Sequence, residues 1–126
     1  MFLKPQDLRI GNYINYECTT HIVAELHEDK LIHHWWDFAA DGYVTRYNQI
    51  LSIPLTCSEL EKLGFEEKED GYFSDSNFFL VEIDQNFWLC ELKEDNIVIR
   101  YAEVDFVHDL QNLYYFFTKQ ELKYVK

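Results

Sequence analysis

Apolar residues recur on the even positions of residues 8–16, at Leu8, Ile10, Ile14 and Tyr16, and Gly11 with Asn12 marks a bend within that run. This alternation predicts a first strand. A second strand over residues 20–26 meets a third over 31–36 across the turn-like Glu28-Asp29-Lys30. Asp41-Gly42 is the strongest local turn signal, after which residues 43–47 and 49–53 supply one or two further short strands. Four or five short strands in so little chain predict a small antiparallel sheet, of the kind that can curl into an SH3-like partial barrel.

The next signal is helical. Thr56-Cys57-Ser58-Glu59 has capping-box spacing, with the Thr56 hydroxyl placed to accept from the amide of Glu59 and the Glu59 carboxylate to reach back to the amide of Thr56. Leu55 and Leu60 form a hydrophobic staple and Gly64 suits a left-handed stop, so a short linking helix is predicted over 57–63. The following Glu66-Glu67-Lys68-Glu69-Asp70-Gly71 reads as a solvated loop.

Residues 78–101 read as a three-strand antiparallel meander. With Gln85-Asn86 as the first turn, Ile83 faces Trp88, Val81 faces Cys90 and Phe79 faces Leu92; with 93–96 as the second, Leu92 faces Ile97, Cys90 faces Ile99 and Trp88 faces Tyr101. One face is then wholly apolar. The other mixes Glu82, Asp84, Glu91 and Arg100 with Leu80, Phe87, Leu89 and Val98, which is too apolar to stand in water unaided. A C-terminal amphipathic helix follows over 106–117, with Phe106, Leu110, Leu113, Tyr114 and Phe117 on one stripe and Asp105 as N-cap. It is expected to lie on the apolar face of the meander. Thr118-Lys119-Gln120-Glu121 repeats the capping-box spacing, which predicts a closing turn around Leu122. The fold class is α+β, a single domain over 1–126 with an N-terminal β half (1–55) and a helix-meander-helix half (56–126).

Composition narrows the function classes. The 126 residues are 48% hydrophobic and 27% charged, enough for a real core without a metal or disulfide staple. Net charge is −12, and residues 64–126 carry −8 of it. Such a surplus repels phosphate backbones and anionic headgroups, which argues against a general nucleic-acid or membrane binder. Cys18, Cys57 and Cys90 are odd in number and widely spaced, with no CxxC, so they read as reduced thiols. No signal-peptide h-region and no apolar run long enough for a membrane span is present, so a cytoplasmic setting is expected.

Three blocks carry a resemblance: Leu8-Arg9-Ile10-Gly11-Asn12-Tyr13; Ile53-Pro54-Leu55-Thr56 leading to Leu60-Glu61-Lys62-Leu63-Gly64-Phe65; and Val107-His108-Asp109-Leu110-Gln111-Asn112-Leu113-Tyr114 followed by Thr118 and Glu121-Leu122. In this order they span nearly the whole chain and resemble a family of small uncharacterised proteins encoded by Bacteroidota, their prophages and mobile elements. The resemblance implies an accessory protein rather than a core metabolic enzyme, and it brings no activity with it. The chain departs from the family pattern at Lys119, where a glycine is expected, and at the bulky Phe116 and Phe117.

Candidate chemistry is sparse. His33 and His34 are adjacent in a strand and point to opposite faces, so they cannot hold one ion together. Trp35 and Trp36 could offer a stacking surface, although one buried and one rim tryptophan is the commoner arrangement. His108 could act as a general base, but Asp109 projects about 100° away around the helix and no serine or cysteine stands near in sequence. Gln111 and Asn112 suit bonds to backbone better than bonds to substrate. A cysteine nucleophile needs an electropositive, partly exposed setting; Cys90 falls on an apolar sheet face, and a structural role is the commoner one for Cys57 also. Phosphate loops, HExxH and GxSxG are absent.

No catalytic, cofactor-binding or metal-binding residue is therefore expected, and no cofactor. The reading is a non-enzymatic protein-interaction or accessory protein of phage or mobile-element type. Its partner would be another protein or a second copy, engaged through a surface that includes Trp35, Trp36, Leu80, Phe87, Leu89 and Val98. The alternative is an anti-defence inhibitor, acting by acidic mimicry of a phosphate track or by small-nucleotide sequestration. Mimicry rests on Glu82-Asp84 and Glu103-Asp105, whose i, i+2 spacing on a strand approaches ~7 Å. Sequestration needs an aromatic pocket lined by Arg9, Arg46 or Arg100.

Overall fold

A computed structural model describes residues 3–37, 42–74 and 76–125. The fold is α+β, with two antiparallel sheets and a C-terminal helix. The chain divides into two compact units, Met1–Pro54 with Phe106–Asn112, and Leu55–Asp105 with Leu113–Lys126. The division after Pro54 lies one residue from the boundary read in the sequence, but the first turns of the last helix count with the N-terminal unit.

In the first unit, β1 (Tyr13–Tyr16), β2 (Thr19–Leu26), β3 (Leu31–Trp35) and β4 (Tyr43–Thr45) form a four-stranded meander in that order. Its core is Leu3, Leu8, Ile14, Val23, Leu31, Tyr47 and Ile50. The first strand is shorter than the alternation suggests. Gly11 adopts φ 98°, a left-handed conformation that turns residues 8–12 aside, while the Gly11 amide still donates to Val23 O. Residues 49–53 do not add a strand: Tyr47–Gln49 is a 3-10 turn and Leu51 makes an isolated bridge to Asn15. The Asp41-Gly42 turn signal rests on Asp41, which lies outside the described residues.

In the second unit, α1 (Cys57–Lys62) begins where the capping signal places it, and Thr56 Oγ1 accepts from the Glu59 amide at 3.2 Å. The reciprocal half of the box is replaced. The Glu59 carboxylate instead accepts from Tyr124 at 2.5 Å and contacts Lys62 Nζ at 3.3 Å. The C-terminal segment thereby docks on α1, with Val125 donating to Lys62 O and with Leu122 and Tyr124 buried. It does so without regular secondary structure, where a short turn or helix was expected around Leu122.

The second sheet has five strands in sequence order, β5 (Glu66–Lys68), β6 (Gly71–Phe73), β7 (Phe78–Ile83), β8 (Asn86–Leu92) and β9 (Val98–Val104). The acidic stretch read as a solvated loop is thus a hairpin, β5–β6, turning at Glu69-Asp70. Gly71 makes it possible: a Cβ there would lie 2.3 Å from Leu80 O, so only glycine lets β6 approach β7.

Registers differ from the pattern-based ones. The β7–β8 turn is Asp84-Gln85, both at positive φ, so Ile83 pairs with Asn86, Val81 with Trp88 and Phe79 with Cys90. That shift of two residues leaves face membership unchanged. Between β8 and β9, a bulge leaves Tyr101 extra: Leu89 pairs with Ala102, but Cys90 pairs with Arg100, Glu91 with Ile99 and Leu92 with Val98. A one-residue slip exchanges faces, so Val98 joins the Leu92 side and Ile99 the Glu91 side.

The faces are also used differently. Leu80 and Leu89 are fully buried and Phe87 nearly so, on the face expected to need cover from the N-terminal sheet or a partner. On this inner side Phe78 packs on Tyr114 and Phe117 of the last helix, α2 (Val107–Thr118). The helix therefore covers the side opposite to the one expected. Pattern alone could not choose, because both faces of this meander are rich in apolar residues.

α2 ends at Lys119, whose φ of 62° is the left-handed stop that favours glycine, and its amide donates to Tyr115 O. A glycine would meet this position's conformational need without strain. Lys119→Gly should raise unfolding free energy by about 0.5–1 kcal/mol in urea titrations. A loss of stability would show that the Lys119 ammonium over the Tyr115 and Phe116 rings outweighs the backbone term.

Candidate interaction surface

The first unit contains a buried polar bridge built from residues 7–13 and 111–112. Gln111, fully buried, accepts from the Tyr13 amide at 2.8 Å and donates to Gly11 O at 3.1 Å. Asn12, also fully buried, donates to Asn112 Oδ1 at 2.8 Å and accepts from the Arg9 amide at 2.7 Å. Asn112 in turn donates to Asp7 O. These residues bond backbone and each other, so the block is a clamp that seats the first turns of α2 on the bend before β1.

A second buried cluster was not read from the sequence. His33 and His34 do project to opposite faces, since His33 pairs with Val23 and His34 with Ile22. The partner of His33 is His21, on the adjacent strand, with Nδ1 to Nδ1 at 2.8 Å. His33 Nε2 lies 3.0 Å from Thr45 Oγ1 on β4. A bond between two Nδ1 atoms needs one proton donor and one bare acceptor, so both rings are neutral or share a single charge. Burial holds His33 down at about 4, with His21 and His34 adding to the effect, and burial also lowers His21. Tyr16 and Tyr43 close the rings in, at 4.9 Å and 5.8 Å from His33.

Trp35 and Trp36 are both half-buried rather than divided into core and rim. Trp35 tilts against His21 and Trp36 meets Tyr13 edge-on, and Tyr13 belongs to the opposite face from His21's neighbour Ile14. The two indoles therefore do not make a common stacking platform.

His108 Nε2 lies 3.3 Å from Asp109 Oδ1, closer than their angular separation around the helix suggested. The ring is buried, stacks on Phe106, and is held below the usual histidine range by burial, against the pull of Asp109 and Asp7. Among the described residues neither a serine nor a cysteine bonds to it, so the pair has no nucleophile to activate. Cys57 Sγ lies 2.8 Å from Tyr72 OH, which donates to Glu67 at 3.0 Å. The Cys57 bond, burial and Glu67 together push the Tyr72 hydroxyl up. Cys90 is buried, which raises its thiol pKa against the effect of Arg100. Among the described residues, no three histidine, cysteine, aspartate or glutamate side chains gather as metal ligands, and no helix is long and apolar enough to cross a membrane.

The outer side of the second sheet is open in part, since Phe79 and Cys90 on it are buried. Ile83, Leu92 and Val98 are 37%, 41% and 54% exposed, and Val81 and Trp88 are half-buried beside them. Phe73 stacks on Phe79 at 4.9 Å, and with Val81, Leu92, Val98 and Asp70 they line a shallow groove of about 390 Å³. Arg100 lies over the Trp88 ring at 4.8 Å. Of the surface residues read from the sequence, Val98 is thus exposed here, whereas Leu80, Phe87 and Leu89 are interior and are withdrawn from the surface.

The features behind the two inhibitor mechanisms do not assemble. Asp84 sits in the β7–β8 turn and Asp105 lies one residue beyond β9, so each acidic pair has a single member within a strand. The groove beside Arg46 is walled by Asp29, Lys30, Val44, Thr45 and Gln49, without an aromatic ring, and the aromatic groove has no arginine. Compared with known protein families, with curated proteins and with solved structures, the chain matches none.

Proposed function

We propose that this chain is a non-enzymatic protein-interaction or accessory protein, working in the cytoplasm through the outer side of its second sheet. One observation carries the reading. The inner side of that sheet is filled by Leu80, Phe87 and Leu89, while on the other side the exposed Leu92 and Val98 join Phe73, Phe79 and Val81 in lining an apolar groove. Contiguous exposed apolar surface costs solubility unless a partner uses it. The family resemblance supports a phage or mobile-element setting, where small accessory proteins act by binding host or phage components.

The test is affinity capture from the host cell with the wild-type protein and with the double variant Ile83→Asp, Leu92→Asp, analysing bound proteins and small molecules together. Both positions are exposed, so the double variant should keep its circular-dichroism spectrum. It should lose at least about nine-tenths of the captured protein, as expected when charge is placed in the apolar groove at Leu92 and at the far end of the same face at Ile83. Equal capture by both proteins, or retention of a small molecule alone, would overturn the reading.

A further inference from the structure

We infer that the partner docks as a basic, apolar β-strand added to the edge of β9, an inference that rests on the interaction reading above. β9 ends the order of the second sheet and, among the described residues, pairs with β8 alone. Open edges are templates for strand addition, and proteins blunt them with charge, brevity or cover. The other edges here are treated in those ways. β5 is three residues long, Glu66-Glu67-Lys68, all exposed and charged. β1 is bridged on its outer side, where Asn15 and Leu51 exchange both backbone bonds at 2.9 Å. β4 has three residues.

β9 is different. Val98, Ile99, Arg100 and Tyr101 are all exposed, and among the described residues their backbone groups meet no strand except β8. The ladder shows which groups are available. Lys93 N donates to Ile97 O across the β8–β9 turn, and antiparallel ladders alternate, so Ile99 turns its backbone to β8 while Val98 and Arg100 turn theirs outward. The one cation on the strand does not guard the edge, because Arg100 is drawn over Trp88. The bulge at Tyr101 confines the docking stretch to about Val98–Tyr101.

Charge selects the occupant. Glu94 and Asp95 precede β9, Glu103 and Asp105 end it, and all four are exposed. The neighbouring Lys93 is already paired with Glu91 at 3.1 Å. A second copy would set one −12 chain against another, whereas a strand alternating lysine or arginine with valine or isoleucine complements both the acids and the groove bordered by Val98. The occupant is therefore a basic strand of another protein.

The probe is an eight-residue peptide alternating lysine and valine, compared with its glutamate–valine counterpart and followed by amide exchange and chemical shift on the full chain. The lysine peptide should protect the Val98 and Arg100 amides, and the glutamate peptide should not bind. Val98→Pro removes an outward N–H without touching the β8 ladder, and Val98→Lys keeps that N–H but adds repulsion; each should weaken the lysine peptide roughly tenfold. Retention of the dispersed amide spectrum shows that each variant is folded, and the second serves if the first is not. Absence of binding, equal binding of both peptides, or binding that leaves the β9 amides unprotected would overturn the inference. If the partner captured from cells is lost with Ile83→Asp, Leu92→Asp but kept with both Val98 variants, the edge inference fails while the interaction reading stands.

Discussion

Lowering the pH from 7.5 to 5.0 is expected to cost the protein about 2 kcal/mol of unfolding free energy through His33 alone. In the folded chain this ring takes a proton only near pH 4, whereas an unfolded histidine does so near 6.5. A depressed histidine contributes stability that is complete above about pH 6.5 and is lost as the pH falls toward 4, because the unfolded chain binds the proton first. His21 and His108 are lowered as well and act in the same direction. The groups facing the pair do little to rescue it: Glu17 pulls His21 upward, but His34 pushes both rings down. Urea midpoints for wild type and His33→Gln at the two pH values test this. Wild type should lose the larger amount and the variant should be flatter by about 2 kcal/mol; the same slope in both proteins would show that the buried pair does not control acid sensitivity.

The second large effect belongs to the polar clamp. Gln111→Leu keeps the side chain's bulk but removes the acceptor of the buried Tyr13 amide and the donor to the part-buried Gly11 carbonyl. Each orphaned buried group costs about 1–3 kcal/mol, so the substitution should destabilise by about 2–4 kcal/mol in chemical denaturation. Asn112→Ala, at a half-buried position with bonds to Asn12 and Asp7 O, should cost about 1 kcal/mol. Similar losses from both would remove Gln111 from the centre of the clamp.

The clamp also shows how far residues alone could lead. Gly11-Asn12 and Gln111-Asn112 stood out by composition and by the family resemblance, and backbone bonding was the role assigned to the amides. That they bond one another across about 100 positions is a property of the tertiary arrangement. β2, β3, α1 and α2 were legible to within a residue or two, because each carries a periodicity or a cap of its own. The β5–β6 hairpin was hidden because exposed charged strands look like loop, and its sole structural signal was the glycine that clears Leu80 O. The His21–His33 pair was hidden for a different reason. The two rings are 12 residues apart, and only the β2–β3 register brings them onto one face. The buried face of the second sheet was misassigned because both faces of β7 and β8 are rich in apolar residues, and the Tyr101 bulge then reverses parity midway along β9, an event no hydrophobic pattern announces.

The tight turns extend this point to the folding pathway. Glu17-Cys18, Asp84-Gln85 and Asp95-Asn96 all adopt positive φ without a glycine among them. Turns of this kind preorganise a hairpin less than Asn-Gly does, so closure of β1–β2, β7–β8 and β8–β9 draws more on cross-strand packing than on the turns themselves. Asp84→Asn with Gln85→Gly should therefore speed refolding, as stopped-flow measurements would show.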